Sequence, residues 1–472
     1  MRILHIGSGF RPWRRGGLVA YVEDLMAAQA LNDHEVTYFF SGRQYPWLRR
    51  PRVRRWRQGS VAMLELVNSP LFDHGRQPEL ELAEPQIERM LGAVMREVRP
   101  HIVHVQELAG LPSSVLDVVH EGGVPTVMTL QDYFPLCPTF KLLDSNEQVC
   151  LRRQIGADCV ATTAANPRDP AMLFDGTIRY DLWQRKLMQR VAPPRRTKMI
   201  KRFAEAAAAR APVHHSEWTL AHGADPAGAF QRRRDANVAR LNSADRLIAM
   251  SSRVAEIYAH LGVAPDRLRI LQLTLAHIEH LTPRRRRVGT PLTFATLAAF
   301  ESRAKGGQLL LDAVKRLSRV VDQGRFRVLV YGSFEADFYR EAEHIDGIEV
   351  MGGYQPNELD ALLDDIDVGL MTSIWEEAYG YAGVEFLAKG IPVIANAIGG
   401  MPEYTRAGET GWLNQSCSAG ELAQIMRDVI ERPGQISQLN AHICAARHSI
   451  IKSMPFHADE MDAIYKEVLV AA

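Results

Sequence analysis

The sequence predicts an α/β protein made of doubly wound, largely parallel sheets in more than one domain. Short apolar runs alternate with helical stretches along most of the chain, the signature of repeated βαβ units. Glycine turns follow several of those runs, at the strand ends that face a ligand crevice in such sheets. The length, 472 residues, allows about three domains and more than one hydrophobic core.

Arg2 to Ile6 reads as the first strand, followed by Gly7, Gly9 and the pair Gly16–Gly17. A helix from Leu18 to Leu31 sets Val19, Val22, Leu25 and Met26 on one face, and His34 to Phe39 is the next strand. Gly7-x-Gly9 lacks the third glycine of a dinucleotide fingerprint, and Gly16–Gly17 come too late to supply it.

Residues 43–57, RQYPWLRRPRVRRWR, hold seven arginines interleaved with Tyr45, Trp47 and Trp56. Pro46 and Pro51 oppose a continuous helix, so a loop patch is expected. Trp47, Arg49 and Arg50 are acceptor-side candidates, and the segment suits an anionic membrane surface. A polyanionic glycan or nucleic acid fits the same charges, and so does a merely solvated basic loop.

Pro100 to Gln106 and Thr126 to Leu130 are further strands, ending in Gln106–Glu107 and Gln131–Asp132. Those polar ends belong at the ligand-facing edge. Cys137, Cys150 and Cys159 follow, spaced by twelve and eight residues. Structural zinc takes four ligands, usually in close pairs; His214 and His215 are available to complete a set, and buried thiols are the plainer reading. An insertion at about residues 140–240 carries nine Lys and Arg between Trp183 and Arg210 and is expected to be a helical lid over the acceptor. A strand before Ser251 and another from Arg269 to Leu273 close this domain. The boundary falls in the arginine- and proline-rich stretch 280–291.

The second domain opens with strand Leu292–Leu297, then Lys305–Gly306 and helix Gln308–Val320. Strands Arg327–Tyr331, ending in Gly332, and Ile348–Gly353 follow, then helix Asn357–Leu363 and strand Val368–Met371. Asp365 and Asp367 read as helix-end and turn residues. Glu376, Glu377, Gly380 and Gly383 then lead into helix Val384–Lys389, stopped by Gly390 and Pro392. After strand Pro392–Ala395 come Gly399-Gly400-Met401-Pro402-Glu403, a turn at Gly408–Leu413, and helices Ala419–Glu431 and Ala458–Leu469. A strand, a glycine loop and a helix start place N–H groups and a positive dipole end at one sheet edge, which makes an anion site. Glu377 and Glu385 flank it with carboxylates. That layout suits a ligand with one phosphate region and hydroxyls on both sides, such as a nucleotide-sugar.

Composition narrows the partners. The chain is 46% hydrophobic and 24% charged, with a net charge of +1, so bulk electrostatics select no nucleic acid or other polyanion. Five cysteines without paired spacing suit a reducing compartment. The apolar run at the N-terminus is too short for a signal peptide, and no segment reaches the length of a membrane span. A cytoplasmic chain, or one peripheral on the inner membrane face, is expected.

Glu377 and Glu385, with seven residues between them, match the E-x7-E signature of retaining glycosyltransferases of family 4. The flanking SIWEEAYG, the helix ending in Lys-Gly-Ile-Pro-Val, the later GGMPE and the Lys305–Gly306 pair resemble the same family. TLQDYFPLCP is similar to its T-x-H-D-Y-W-x-x-C-P segment, with Gln131 where many members carry histidine. The arginine usual five residues before the lysine is replaced by Phe300, and Arg303 is the candidate substitute.

The resemblance implies the GT-B fold, two Rossmann-like domains facing across a cleft. They are 1–285, on the acceptor side, and 286–452, which takes the nucleotide-sugar; a helix, 453–472, crosses back. It implies a retaining hexosyltransferase using a UDP- or GDP-type sugar on a saccharide or lipid-linked acceptor, in cell-surface polysaccharide or glycolipid biosynthesis. Glu385 would hold the ribose, and Glu377 the sugar hydroxyls. Lys305 and Arg303 would hold the diphosphate, assisted by Gly380, Tyr381, Ala382, Gly383 and Gly332, with Gly16 and Gly17 near the phosphates. Asp132 is the ionisable candidate beside Gln131. No metal or other cofactor is implied. The alternatives are a non-catalytic glycan- or nucleotide-sugar-binding subunit and a nucleotide-sugar 2-epimerase of the same fold.

Overall fold

The computed structural model describes residues 1–45, 50–71, 78–165, 171–184, 193–208, 225–285, 289–322 and 324–471. The chain divides into two compact units: Met1–Ala249, Ala255–Ile270 and Ala458–Ala472 form the first, and Met250–Val254 with Leu271–His457 the second. The long run of the second unit thus begins at Leu271, ahead of the basic stretch where the sequence puts the boundary.

The first unit contains β1 (Arg2–Ser8), α1 (Gly17–Leu31), β2 (Glu35–Ser41), β3 (Arg52–Gln58) and β4 (Val61–Val67). It continues with α2 (Pro85–Val98), β5 (Ile102–Val105), α3 (Val115–Glu121), β6 (Thr126–Leu130), α4 (Ala157–Ala165), α5 (Ala171–Gln184) and α6 (Pro193–Ala208). Then come α7 (Pro226–Ser243), β7 (Arg246–Ala249), α8 (Ser252–His260) and β8 (Leu268–Ile270). The eight strands form one sheet in the order β3-β4-β2-β1-β5-β6-β7-β8. Every pairing is parallel except β3 with β4. Strand order reverses between β1 and β5, which makes their carboxyl ends the topological switch point.

The described residues of the segment 43–57 depart from the loop expected only from Arg52 on. Arg52–Gln58 is an antiparallel edge strand, joined to β4 across Gly59–Ser60. Pro51 sits just outside the ladder, where its missing N–H costs nothing, and exposed arginines blunt the edge against pairing with another chain. The described aromatic members turn inward: Tyr45 is buried, and Trp56 packs edge-on against Phe10 (5.3 Å) and Phe40 (5.8 Å). Arg43 is buried too, paired with Glu65 at 2.6 Å. Trp47 and Arg49 lie outside the described residues, whereas Arg50 is described and exposed.

The second unit runs β9 (Leu292–Thr296), α9 (Gly307–Leu317), β10 (Phe326–Tyr331), α10 (Ala336–Ala342), β11 (Ile348–Gly352), α11 (Leu359–Leu362) and β12 (Val368–Met371). It continues with α12 (Tyr381–Ala388), β13 (Val393–Asn396), α13 (Met401–Tyr404), β14 (Gly411–Asn414), α14 (Ala419–Glu431), α15 (Gly434–Ala445) and α16 (Arg447–Ile450). Its six strands are all parallel, ordered β11-β10-β9-β12-β13-β14, so the switch point lies between β9 and β12. Gly408–Leu413, expected as a turn, is instead the way into β14. Gly411 pairs with Val393 so closely that a Cβ there would stand 1.8 Å from the Val393 carbonyl oxygen. Phe300 is buried against Phe338 (centroids 4.9 Å apart) in the core beneath α9, which explains an apolar residue at that position.

The last helix, α17 (Met454–Ala471), belongs to the first unit from Ala458 onward. There Tyr465 is fully buried and accepts a hydrogen bond from Gln29 Nε2 at 3.2 Å. Among the described residues no helix is long and apolar enough to cross a membrane.

Candidate functional site

In the second unit the loops after β9 and β12 meet at the switch point. Backbone bonds clamp them: Ile374 N–H donates to the Ala304 carbonyl (2.9 Å), and Thr372 Oγ1 to the Lys305 carbonyl (2.9 Å). Gly306, at φ +75°, makes the closest approach, since a Cβ there would stand 1.8 Å from the Thr372 carbonyl oxygen. This clamp holds Lys305 Nζ 2.6 Å from Glu377 Oε2 and over the Trp375 ring. Ser373 Oγ (2.9 Å) and Trp375 Nε1 (3.0 Å) donate to the same carboxylate oxygen.

Two neighbouring carboxylates, Glu376 and Glu385, have basic partners. Glu376, almost buried, takes Arg253 Nη2 at 2.6 Å and the Gly399 N–H at 3.1 Å. Glu385 lies inside α12, four residues after its first, and pairs with His277 Nε2 at 2.7 Å. Glu403 of the GGMPE run accepts from Gln272 Nε2 at 3.1 Å and from the Ser252 N–H. Gly399, at φ +62°, lies against the Glu377 backbone, and the Gly400 N–H donates to the Glu377 carbonyl at 2.7 Å. Behind them Asn396 Nδ2 supports the loop by donating to the Thr372 and Ser373 carbonyls.

The sequence starts this helix at Val384, but α12 starts at Tyr381 with Gly380 as its N-cap. Tyr381, Ala382 and Gly383 are therefore its first turn, at the positive end of the helix dipole, and the Gly383 N–H donates to the Gly380 carbonyl at 3.0 Å. Arg303 is exposed and shares a single 3-10 turn with Lys305. Gly332 ends β10 on the same sheet and donates its N–H to Gly352 at 2.9 Å. Asp365 ends a 3-10 turn, whereas Asp367 accepts the Thr293 N–H at 2.9 Å and so ties the start of β12 to β9 rather than closing a turn.

The first unit's switch point is built alike. Arg14, after β1, donates to Glu107, after β5, at 2.8 Å, and also to the Ser8 carbonyl. Gly16 is the N-cap of α1 and Gly17 its first residue. Asp132, half-buried after β6, accepts the Phe134 N–H at 2.8 Å. Burial, reinforced by the Glu107 charge, pushes its carboxyl up to about 7, against the pull of Arg14 and Arg233. Gln131 donates to Gln106 Oε1 at 3.1 Å, while its own Oε1 is buried with no hydrogen-bond partner. Gln106 in turn bonds His5 and His104 in a buried polar network, where burial lowers His5 to about 4.

Cys137, Cys150 and Cys159 do come together, around a cavity of about 20 Å³ that Arg152, Asp158 and Arg234 also line. Burial pushes the Cys159 thiol up to about 11. Among the described residues no group of three or more His, Cys, Asp or Glu is placed to hold a metal ion. His214 and His215 lie outside the described residues. The Trp183–Arg210 part of the insertion is helical where described, in α5 and α6.

Sequence reasoning missed Arg14, Arg253 and His277. Each lies far along the chain from the carboxylate that it meets, and no local spacing marks it.

Residues 16–192 match the model of a glycosyl transferase 4-like domain, and residues 280–447 that of glycosyl transferases group 1. A putative colanic acid biosynthesis glycosyltransferase, WcaL, of Salmonella typhimurium is 27% identical over 187 residues, 38% of this chain and 46% of that protein. A D-inositol 3-phosphate glycosyltransferase of Corynebacterium aurimucosum is 26% identical over 285 residues, 55% of this chain and 66% of that one. The chain thus spans less than two thirds of either curated relative. Among solved structures, Anabaena Alr3699/HepE in complex with UDP superposes over the full length of both chains at 13% identity, with a TM-score of 0.58. Sucrose-phosphate synthase from Thermosynechococcus elongatus does so at 13% identity, with a TM-score of 0.62.

Proposed function

The chain belongs to the GT4-type glycosyltransferases of the GT-B fold, and on that premise we propose a retaining hexosyltransferase that uses a nucleotide-diphosphate sugar. The observation that carries this reading is the pairing of Lys305 with Glu377 at the second unit's switch point, beside the N-terminus of α12. A diphosphate draws Lys305 off Glu377. The ammonium and the first-turn N–H groups at Tyr381 and Ala382 then neutralise the charge that develops as the nucleotide leaves, the largest expected catalytic term. Arg303, in the same turn as Lys305, adds a second cation. Glu377 keeps the bonds from Ser373 and Trp375, and its second oxygen, which takes neither, meets the sugar hydroxyls. Glu385, oriented by His277, takes the ribose hydroxyls.

With retention, the bond from the anomeric carbon to the phosphate oxygen breaks as the acceptor oxygen bonds to the same face. The acceptor's proton passes to the departing phosphate oxygen. That route needs no side-chain base, which fits glutamine at position 131, a residue that hydrogen-bonds but takes no proton. The first unit takes the acceptor, with the unpartnered Gln131 Oε1 placed to accept a hydroxyl and Asp132 beside it. These groups supply the charge neutralisation without a divalent metal.

The acceptor is a saccharide or a lipid-linked saccharide, in keeping with the colanic acid and inositol-phosphate names of the curated relatives, and the chain works in the cytoplasm at the membrane face. UDP-sugars come first among donors, since the Anabaena protein was solved with UDP-glucose. The test is a thermal-shift and donor-hydrolysis screen over UDP-, GDP-, ADP- and dTDP-sugars, without metal. One donor is expected to raise the melting temperature by mass action and to release its nucleotide slowly. A chain indifferent to every donor would overturn the reading.

A further inference from the structure

The insertion in the first unit contains a second layer that the donor chemistry does not use. α5 is tied down: Asp181 meets Arg43 at 3.3 Å, Thr177 Oγ1 accepts the Gln44 N–H at 3.2 Å, and Tyr180 packs edge-on against Phe10. α6 packs on α5 through Ile200 and Ala204, which form a small core with Ile178. Along that helix Met199 and Phe203 lie about 100° round from Ile200 and Ala204, and they are 52% and 53% exposed. Lys198, Lys201 and Arg202 beside them are exposed as well. The sixteen residues of α6 contain five Lys and Arg and one acid, Glu205.

We infer that this face of α6 docks the protein on an anionic lipid surface. Two large apolar side chains one turn apart, ringed by cations, match an interfacial helix, whose apolar groups enter the headgroup region while its cations meet lipid phosphates. A soluble polyanion would use the cations and draw nothing from the apolar area that Met199 and Phe203 expose. The purpose of docking rests on the proposal of a membrane-presented acceptor; the surface itself rests on the exposure and charge of α6. Residues 43–57 serve this role less well, because Arg43, Tyr45 and Trp56 pack inward.

The full-length protein is sedimented with vesicles of phosphatidylcholine alone and of phosphatidylcholine mixed with phosphatidylglycerol. Binding to the mixed vesicles only is expected. The Lys198→Glu/Arg202→Glu pair should weaken it more than about tenfold, at roughly fivefold per cation, and Met199→Ser/Phe203→Ser should weaken it severalfold. Unchanged melting temperature and donor response in both variants show that the fold and the donor site are intact. Loss with the charge pair but not the apolar pair, or displacement by dextran sulfate equal in wild type and apolar variant, would make α6 a polyanion site and overturn the lipid assignment. Equal sedimentation of wild type and both variants, or none at all, would also overturn it. A donor response without vesicle binding would leave the glycosyltransferase reading standing and remove only the docking surface.

Discussion

The two sheets solve the same edge in nearly the same way, and the small difference is instructive. Each switch point is bridged by an ion pair: Arg14 with Glu107 in the first unit, Lys305 with Glu377 in the second. Side-chain exposures match closely, 33% and 5% for the first pair against 31% and 10% for the second. What surrounds each pair differs. In the second unit Glu376 and Glu385 have their own basic partners, Arg253 and His277. In the first, Asp132 feels the charge of Glu107, which is paired with Arg14, and among the described residues the Phe134 N–H is the donor to its carboxylate. Burial, with the Glu107 charge added to it, is what raises the Asp132 carboxyl. The second edge thus sets three paired acids beside a helix start, and the first carries a group that titrates near neutrality.

The largest effect expected from breaking this comparison is catalytic. Lys305→Ala or Glu377→Ala should lower turnover about 10²–10³-fold, the usual result of removing one preorganised group from a developing charge, with melting curves verifying the fold. Wild-type turnover in both would dissolve the distinction between the two switch points. Gly399→Ala comes next. Its Cβ would stand 2.3 Å from the Glu377 carbonyl oxygen, so the loop must move, at a cost of roughly 1–3 kcal/mol readable by denaturant melts.

Asp132→Asn sharpens the comparison through pH. The folded carboxyl titrates at about 7 against an ordinary 3.8, so between those values the native chain holds a proton that the unfolded chain has lost. Stability therefore falls as pH rises from about 4 to about 7, and the penalty is complete above that. Asparagine still accepts the Phe134 N–H. The variant should flatten that fall and melt higher than wild type at about pH 8; parallel stability profiles would refute the raised carboxyl. The smallest effect is Arg55→Ala. Its pairing with Glu97 joins two half-exposed side chains, and the change in stability should stay under about 1 kcal/mol. A larger loss would mean that exposure does not separate surface pairs from the switch-point pairs.

Much of the second unit was legible in the chain. Val368–Met371 is short and apolar because it is buried on both faces, and Gly390 and Pro392 end its helix wherever that helix begins. Ala419–Glu431 has the bounds expected of it, and Ser418 caps its start. Residues 43–57 misled because their arginines mask an edge strand: only Val53 and Trp56 show its inward packing, and the Gly59–Ser60 turn was the stronger signal. The start of α12 was placed late because Gly383, a weak helix former, occupies its first turn. Tyr404 fills the space where a side chain would stand.

The alternating architecture, the spacing of Glu377 and Glu385 and the Lys305–Gly306 turn are properties of the sequence alone, since strand period, helix stops and neighbouring residues are local. Which charges meet was decided only by the tertiary structure. Arg253 reaches Glu376, His277 reaches Glu385 and Arg14 reaches Glu107 because parallel strands bring remote loops to one edge. Burial there, with the Glu107 charge added to it, pushes the Asp132 carboxyl up to about 7.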